Sequence, residues 1–269
     1  MKNFLNSNKV RSIFRIILAL TIGLGFGFII TLFVSEDPIA AYKAFLFGPL
    51  SQLNRIGDWL EESLTLIFLG LAITIVFNAK QFYIGLEGQM ILSALASGAV
   101  AIYLPVDPII RIPAAFLAGI AVSVAWAIIP AVLKAYLNAS ELVTSLMFNT
   151  IALKLFEYLL RNYLQLPNTN GIMSERVPVE ARLTTFIPNL PFLAETRAAW
   201  IKATSVTLIV YVAIAAIALA YILLYKTKFG YEIRAVGANN KFAKYGGINV
   251  NRTVVSSILV SGVFAALAG

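Results

Sequence analysis

Seven apolar stretches separated by polar segments constrain the fold of this chain more than any other feature. They cover residues 17–34, 60–77, 82–104, 110–133, 142–164, 206–225 and 254–269. An apolar helix of roughly 20 residues crosses about 30 Å of hydrocarbon, and apolar residues make up 59% of the 269 residues. The sequence therefore predicts an all-α fold, a polytopic transmembrane bundle of about seven helices.

The last apolar stretch is shorter than the others. Residues 254–269 amount to about 24 Å of helix, which does not cross the hydrocarbon core and would leave a terminal carboxylate in or near it. We therefore expect one transmembrane domain over residues 1–269 that is incomplete at its C-terminus.

The residue types exclude several kinds of chemistry. The chain has no Cys and no His, which excludes disulfides, Ser-His-Asp and Cys-His catalysis and histidine-containing zinc motifs. It also lacks a Walker-type phosphate-binding motif, so any ATP must be handled by another chain. The run Gly23-Leu-Gly-Phe-Gly27 follows no strand and predicts close helix packing rather than a nucleotide site. We expect no catalytic residue, no metal site and no cofactor bound by this chain.

The distribution of charge predicts the orientation in the membrane. Residues 1–15 carry four Lys/Arg and no acid, and residues 226–253, here called the basic island, carry six Lys/Arg against one acid. Because Lys and Arg concentrate in cytoplasmic loops, we expect a cytoplasmic N-terminus, a cytoplasmic basic island and an external loop over residues 165–203. The net charge of +8 then lies mostly beside the membrane and does not indicate binding to nucleic acid.

The middle of the basic island predicts a short helix. Asn239 or the next residue can cap its start, and the Gly246-Gly247 pair can end it in a left-handed turn. Phe242 and Tyr245 are three residues apart and share a face. Such a helix either rests on lipid headgroups or docks on a cytoplasmic protein, and the residues alone leave both interpretations open.

Two patches of sequence resemble one family. Residues 230–239 (GYEIRAVGAN) and 243–250 (AKYGGINV), with the later Ser261-Gly and AALAG, are similar to the coupling-loop signature of bacterial ABC importer permeases for nucleosides and simple sugars. Residues 84–90 (IGLEGQM) resemble the same family's other signature. The resemblance covers nearly the whole chain. Two departures are Tyr83, where the family usually has Asn, and Phe242-Ala243, where it usually has two alanines.

The resemblance implies a permease subunit, which is not an enzyme, in the cell membrane of a bacterium. It implies three protein partners: a cytoplasmic ABC ATPase, a second permease subunit and an extracytoplasmic substrate-binding protein. Permeases for branched-chain amino acids share the general architecture and remain an alternative. The ATPase would bind the basic island as a coupling loop, at Glu232, Arg234, Gly237, Asn239, Phe242, Ala243, Tyr245, Gly246 and Gly247.

Polar groups inside the predicted spans are candidates for the translocation path. Glu87 lies in Gly85-Leu-Glu-Gly-Gln89 and is expected either to act as a hinge or path lining, or to pair with Lys80 near the inner surface. The fifth span carries two polar residues four apart on one face, and an aromatic residue at the start of the third span could stack on a base. The path residues we expect are Tyr83, Glu87, Gln89, Ser145 and Asn149.

The fifth span also carries opposite charges three residues apart. Lys154 falls near mid-membrane, where an uncompensated lysine costs about 3 kcal/mol, so we expect a buried ion pair with Glu157. The pair would belong to a polar cavity, or it would only fix helix packing. Glu87 and Glu157 also leave open an ion-coupled secondary transporter, which would need carboxylates at mid-membrane and no ATPase.

Overall fold

The computed structural model describes residues 8–166, 173–178, 181–183, 198, 200–201 and 206–269. Seven helices in this part of the chain are long and apolar enough to cross a membrane, which confirms the predicted all-α, polytopic fold. Most of the predicted external loop over residues 165–203 lies outside the described residues.

Short connections join the helices, except between Leu164 and Ile209. Their bounds are α1 Asn8–Val34, α2 Pro38–Phe47, α3 Leu53–Asn78, α4 Leu86–Tyr103, α5 Pro108–Leu137, α6 Glu141–Leu159, α7 Ile209–Lys226, α8 Lys228–Ala238, α9 Asn240–Tyr245 and α10 Val250–Ala268. A π-helical turn, Leu160–Leu164, prolongs α6. The candidate spans are α1, α3, α4, α5, α6 with its π-helical turn, α7 and α10.

The described residues fall into two compact units, one up to Trp59 and one from Leu60 onward. In the first unit, Asp37 caps α2 by accepting a hydrogen bond from the Ala40 N–H, at 3.1 Å. The Tyr42 hydroxyl of α2 donates to the carbonyl of Leu24 in α1. The second of these hydrogen bonds joins α2 to α1.

The second unit is built around α4, α5 and α10, which pack against one another, with α6 against α4. Small polar residues make this packing close. The Ser93 hydroxyl donates to the Ala266 carbonyl at 3.0 Å, and the Ser123 hydroxyl donates to the Gly262 carbonyl at 2.7 Å. We call these two hydrogen bonds the serine clasp. The large buried side chains of this unit include Phe68, Ile75, Tyr83, Ile233, Ile258 and Phe264.

Two elements differ from the prediction. The third span does not begin at Phe82, because residues 81–84 are not helical and α4 starts at Leu86. The basic island contains a further helix, α8, that the sequence analysis did not predict. Its charged residues interrupt the apolar pattern by which the spans were recognised.

Candidate coupling and translocation sites

The helix α8 anchors the basic island to the rest of the second unit. It begins at Thr227, whose Oγ1 accepts a hydrogen bond from the Gly230 N–H at 3.1 Å. Its Ile233 and Val236 are buried. A Cβ on Gly237 would lie 1.9 Å from the carbonyl oxygen of Asn78, so only glycine allows α8 to approach the end of α3 this closely. Gly237 therefore acts through packing within the chain.

The predicted short helix is present as α9, directly after α8. The Asn239 Oδ1 accepts hydrogen bonds from the N–H groups of Lys241 and Phe242, at 2.9 and 3.1 Å, as expected of an N-cap. The Phe242 and Tyr245 side chains are 73% and 92% exposed, whereas Ala243 is 2% exposed. We call Phe242 and Tyr245 the aromatic pair. The expectation that Ala243 offers an apolar surface to a partner is wrong, because its methyl group packs inside the chain.

The end of α9 is a left-handed turn, as predicted, but it depends on one glycine. Gly247 has φ +80°, while Gly246 has φ −73°. The Ile248 N–H donates to the Ala243 carbonyl, and the Gly247 N–H donates to the Lys244 carbonyl. These two bonds form a Schellman motif with Gly247 at the left-handed position. The same role expected of Gly246 is therefore wrong.

Glu232 and Arg234, two predicted coupling residues, both contact their own chain. The Arg234 guanidinium lies over the Tyr225 ring, with 5.1 Å between Cζ and the ring centroid, and its Nε donates to the Gly230 carbonyl at 3.3 Å. Glu232 lies 4.0 Å from the Lys228 ammonium. Arg234 thus braces the corner between α7 and α8.

Tyr83 and Gln89 form a buried pair. The Gln89 Nε2 donates to the Tyr83 hydroxyl at 2.6 Å, and both side chains are almost completely buried. Burial raises the pKa of the Tyr83 hydroxyl above its usual range, against the opposing effect of the hydrogen bond. The expectation that these two residues line a path is wrong for this conformation, since they lie in the packed core.

Ser145 and Asn149 hold the non-helical backbone that precedes α4. The Ser145 hydroxyl accepts a hydrogen bond from the Ile84 N–H at 3.3 Å. The Asn149 amide donates to the Ile84 carbonyl and accepts from the Gly88 N–H, each at 3.0 Å. Backbone outside a helix needs such partners when it lies near the membrane. Both side chains therefore face α4, and they satisfy its backbone rather than line an open channel.

A third side chain of α6 continues this row of contacts. Glu141 accepts a hydrogen bond from the Phe82 N–H at 3.3 Å and forms an ion pair with Lys134 near the end of α5. Glu141, Ser145 and Asn149 are four residues apart and share one face of α6. We call these three residues the α6 ladder. Sequence analysis missed Glu141, although its spacing from Ser145 was a usable signal.

The charged candidates inside the spans lie at the surface of the chain. Glu87 is exposed and, among the described residues, forms no ion pair with Lys80. Lys154 and Glu157 do pair, with 2.9 Å between Nζ and Oε2, but their side chains are 70% and 46% exposed. The expectation that this ion pair is buried is therefore wrong for the chain by itself.

A cavity of about 470 Å³ opens in the second unit. None of the predicted path residues lines it. Its polar lining residues are Glu61, Thr65, Ser93, Ser97 and Thr207, and Phe68 and Phe116 are its aromatic ones. The signal in the sequence was the run of small residues in α4, SALASG over residues 93–98, because small side chains leave space between helices.

The comparison with known proteins decides the family. A family model described as "Branched-chain amino acid transport system / permease component" matches residues 55–269. The chain belongs to this family. It is accordingly a multi-pass membrane protein and a permease component of ABC importers, a transport component rather than an enzyme.

Curated relatives of this permease carry more specific names. It is 30% identical to a glucose ABC transporter permease of Haloferax volcanii, over 94% of this chain and 66% of the relative. It is 28% identical to a guanosine ABC transporter permease of Bacillus subtilis, over 94% of this chain and 69% of the relative. A nucleoside ABC transporter permease of Lactococcus lactis is 27% identical, over 98% and 71%. The chain thus spans about two thirds of the length of these relatives. No solved structure matches this permease.

Proposed function

We propose that this permease forms the translocation path of an ATP-driven importer for a nucleoside or a simple sugar. The solute arrives from an extracytoplasmic binding protein, and a separate cytoplasmic ATPase supplies the energy. Relatives named for glucose, guanosine and nucleosides support the solute class. The exposure of the aromatic pair is the main support for coupling to an ATPase, because two exposed aromatic side chains offer a surface to which the ATPase can bind.

The aromatic pair has the properties of a docking surface. Phe242 and Tyr245 project from a helix whose cap, Schellman motif and buried Ala243 hold it in one orientation. Burying one aromatic side chain against a partner contributes up to about 3 kcal/mol, which is roughly a hundredfold in a binding constant. Lys241 and Lys244 flank the pair and can meet acidic residues of the partner.

Aspartate substitutions test the docking of the ATPase. We expect Phe242→Asp and Tyr245→Asp in the full-length protein to reduce co-purification of the ATPase about a hundredfold each and to abolish ATP-driven uptake, with normal amounts of permease in the membrane. Tyr163→Asp is the matched control, an exposed tyrosine at the other end of the spans. Wild-type recovery of the ATPase and wild-type uptake in both variants would mean that α9 only rests on lipid.

Solute uptake separates the importer from the two alternatives. Uptake of radiolabelled guanosine or glucose into proteoliposomes should require ATP and the ATPase subunit, and it should persist without a proton or sodium gradient. Uptake that follows the ion gradient would instead support a secondary transporter. Uptake of leucine in place of guanosine and glucose would support the branched-chain amino acid alternative.

We also propose that the basic island and the N-terminus lie in the cytoplasm. The excess of Lys and Arg in these two segments supports this orientation. In intact cells, an impermeant maleimide should label Asp107→Cys, in the turn between α4 and α5, and should not label Lys241→Cys. The chain has no native Cys, so each signal comes from one site. The reverse pattern of labelling would overturn the orientation and the role of the basic island.

The exposed ion pair of α6 supports a second permease subunit. Lys154 lies in the middle of the span Glu141–Leu164 and is mostly exposed. A charged side chain is costly in hydrocarbon, so such residues face protein or a water-filled cavity. A second permease subunit packed against this face of α6 would remove the ion pair from lipid.

A further inference from the structure

The cavity in the second unit lies at the helix ends remote from the basic island. It is lined by the N-terminal halves of α3 and α5, by the start of α7, by the C-terminal half of α4 and by the last turn of α10. The basic island joins the opposite ends of α7 and α10. Residues 177, 181 and 183, which belong to the predicted external loop, also line the cavity. In the proposed orientation the cavity therefore faces the outside of the cell.

The cavity is closed on the side toward the basic island. Ser93 is one of its lining residues, and its hydroxyl is bound to the Ala266 carbonyl in the serine clasp. One helical turn further toward the island, Ser123 is bound to the Gly262 carbonyl, and the Tyr83–Gln89 pair is buried. These contacts leave a chamber that ends within the bundle.

The lining residues indicate the chemistry of an occupant. Hydroxyl groups come from Thr65, Ser97 and Thr207, and the Glu61 carboxylate accepts hydrogen bonds. Phe68 and Phe116 add aromatic surface. Among the described lining residues there is one acid and no Lys or Arg, so an anionic solute finds no counter-ion there. The volume of about 470 Å³ is in the range of small-molecule sites.

We infer that this chamber is a solute site for an uncharged, hydroxylated molecule with one apolar face, reached from the side remote from the basic island. The inference rests on the proposed import function and specifies where the solute enters this chain. Glu61 and the hydroxyl groups would exchange hydrogen bonds with hydroxyl groups of the solute. Without a Lys or Arg among the described lining residues, the chamber favours uncharged solutes over amino acids and over phosphorylated sugars and nucleosides.

Cysteine labelling tests the inference, because the chain has no native Cys. Ser97→Cys places one thiol in the chamber. Gly70→Cys places a control thiol on α3 outside it, where an added Cβ meets nothing within 4 Å. The experiment measures the rate of modification by N-ethylmaleimide for each variant, in the full-length importer in proteoliposomes. The rates are compared with and without guanosine, glucose, leucine and guanosine 5′-monophosphate.

We expect guanosine or glucose, at several times its dissociation constant, to slow modification of Ser97→Cys about fivefold and to leave Gly70→Cys unchanged. Leucine and guanosine 5′-monophosphate should slow neither. The inference is overturned if neither guanosine nor glucose protects Ser97→Cys. It is also overturned if zwitterionic leucine and anionic guanosine 5′-monophosphate protect Ser97→Cys as well as guanosine or glucose does.

ATP-driven uptake by the unmodified importer is measured in parallel, so that the two ideas can fail separately. Guanosine or glucose uptake without protection of Ser97→Cys refutes the chamber as the solute site and leaves the import function standing. Protection of Ser97→Cys without any ATP-driven uptake supports the solute site and refutes the proposed import function.

Discussion

Gly247 adopts a backbone conformation that side chains oppose. Its φ of +80° is the left-handed position of the Schellman motif, and Gly246 beside it has φ −73°. A Cβ in the left-handed region costs about 1–2 kcal/mol. We therefore expect Gly247→Ala to lower the free energy of unfolding by about that amount and Gly246→Ala to change it by less than about 0.5 kcal/mol. Chemical denaturation of the purified full-length protein in detergent measures both, and equal losses would contradict this account.

The residues of α9 show what local sequence can predict and what it cannot. The Asn239 cap, the exposed aromatic pair and the left-handed end follow from spacing and backbone preference, which are local properties. The burial of Ala243 follows from the packing of the basic island onto the second unit, which is tertiary. The choice between Gly246 and Gly247 depends on where the last helical residue falls, and residue spacing leaves that open by one position.

At the scale of elements, the α6 ladder sets the start of α4. Residues 82–85 are as apolar as the rest of the third span, so the pattern of hydrophobic residues predicts a helix there. The backbone stays non-helical because Glu141, Ser145 and Asn149 supply the hydrogen bonds that a helix would have made within itself. Such long-range partners cannot be recognised from a single apolar run.

Removing the Asn149 amide should make the non-helical segment before α4 more mobile. Asn149→Ala leaves the part-buried Gly88 N–H and the exposed Ile84 carbonyl without their partner. An unpaired backbone group costs up to about 1–3 kcal/mol where water does not reach it. We expect the midpoint of thermal unfolding to fall and hydrogen exchange at residues 82–88 to accelerate. Thr150→Ala is the control, because the Thr150 hydroxyl donates to the Leu146 carbonyl of its own helix and, among the described residues, to no group of α4. Similar exchange in both variants would show that the ladder does not hold this segment.

The seven spans were predictable because length and hydropathy alone identify a helix that crosses a bilayer. The helix α8 was not, because its Lys228, Glu232 and Arg234 mask the apolar positions that bury it. The contact of Gly237 with the end of α3 shows which face of α8 is buried, and the sequence does not contain this information.

At the scale of the whole molecule, the exposed ion pair of α6 tests the second subunit. If a partner covers Lys154 and Glu157, each charge depends on the other in a poorly hydrated setting, and removing one leaves the other uncompensated. We expect Lys154→Met to reduce the amount of assembled importer more than the double variant Lys154→Met/Glu157→Leu does. Native gel electrophoresis of the solubilised importer measures this. Small additive losses, below about 1 kcal/mol each, would place the pair in water.

The solute chamber could not be predicted from the sequence, because residues that are distant in the chain line it together. Its polar groups come from α3, α4 and the segment before α7, so residues 61 and 207, which share the cavity, are far apart in the chain. The predicted path residues were chosen by polar and aromatic character. Most of them serve the packing of the bundle, since polar groups buried between helices must satisfy one another.

The contact between Gly237 and Asn78 has a mechanical consequence. Where α8 meets α3 there is no side chain on the glycine that could change rotamer and take up movement, so the junction is stiff. The helix α8 has 11 residues, and Gly237 lies at the end of it next to α9, which starts at Asn240. If a moving partner displaces α9, the contact at Gly237 would therefore pass the movement directly to the end of α3. Any side chain at this position would push α8 away from the end of α3 and weaken the contact that passes on the movement.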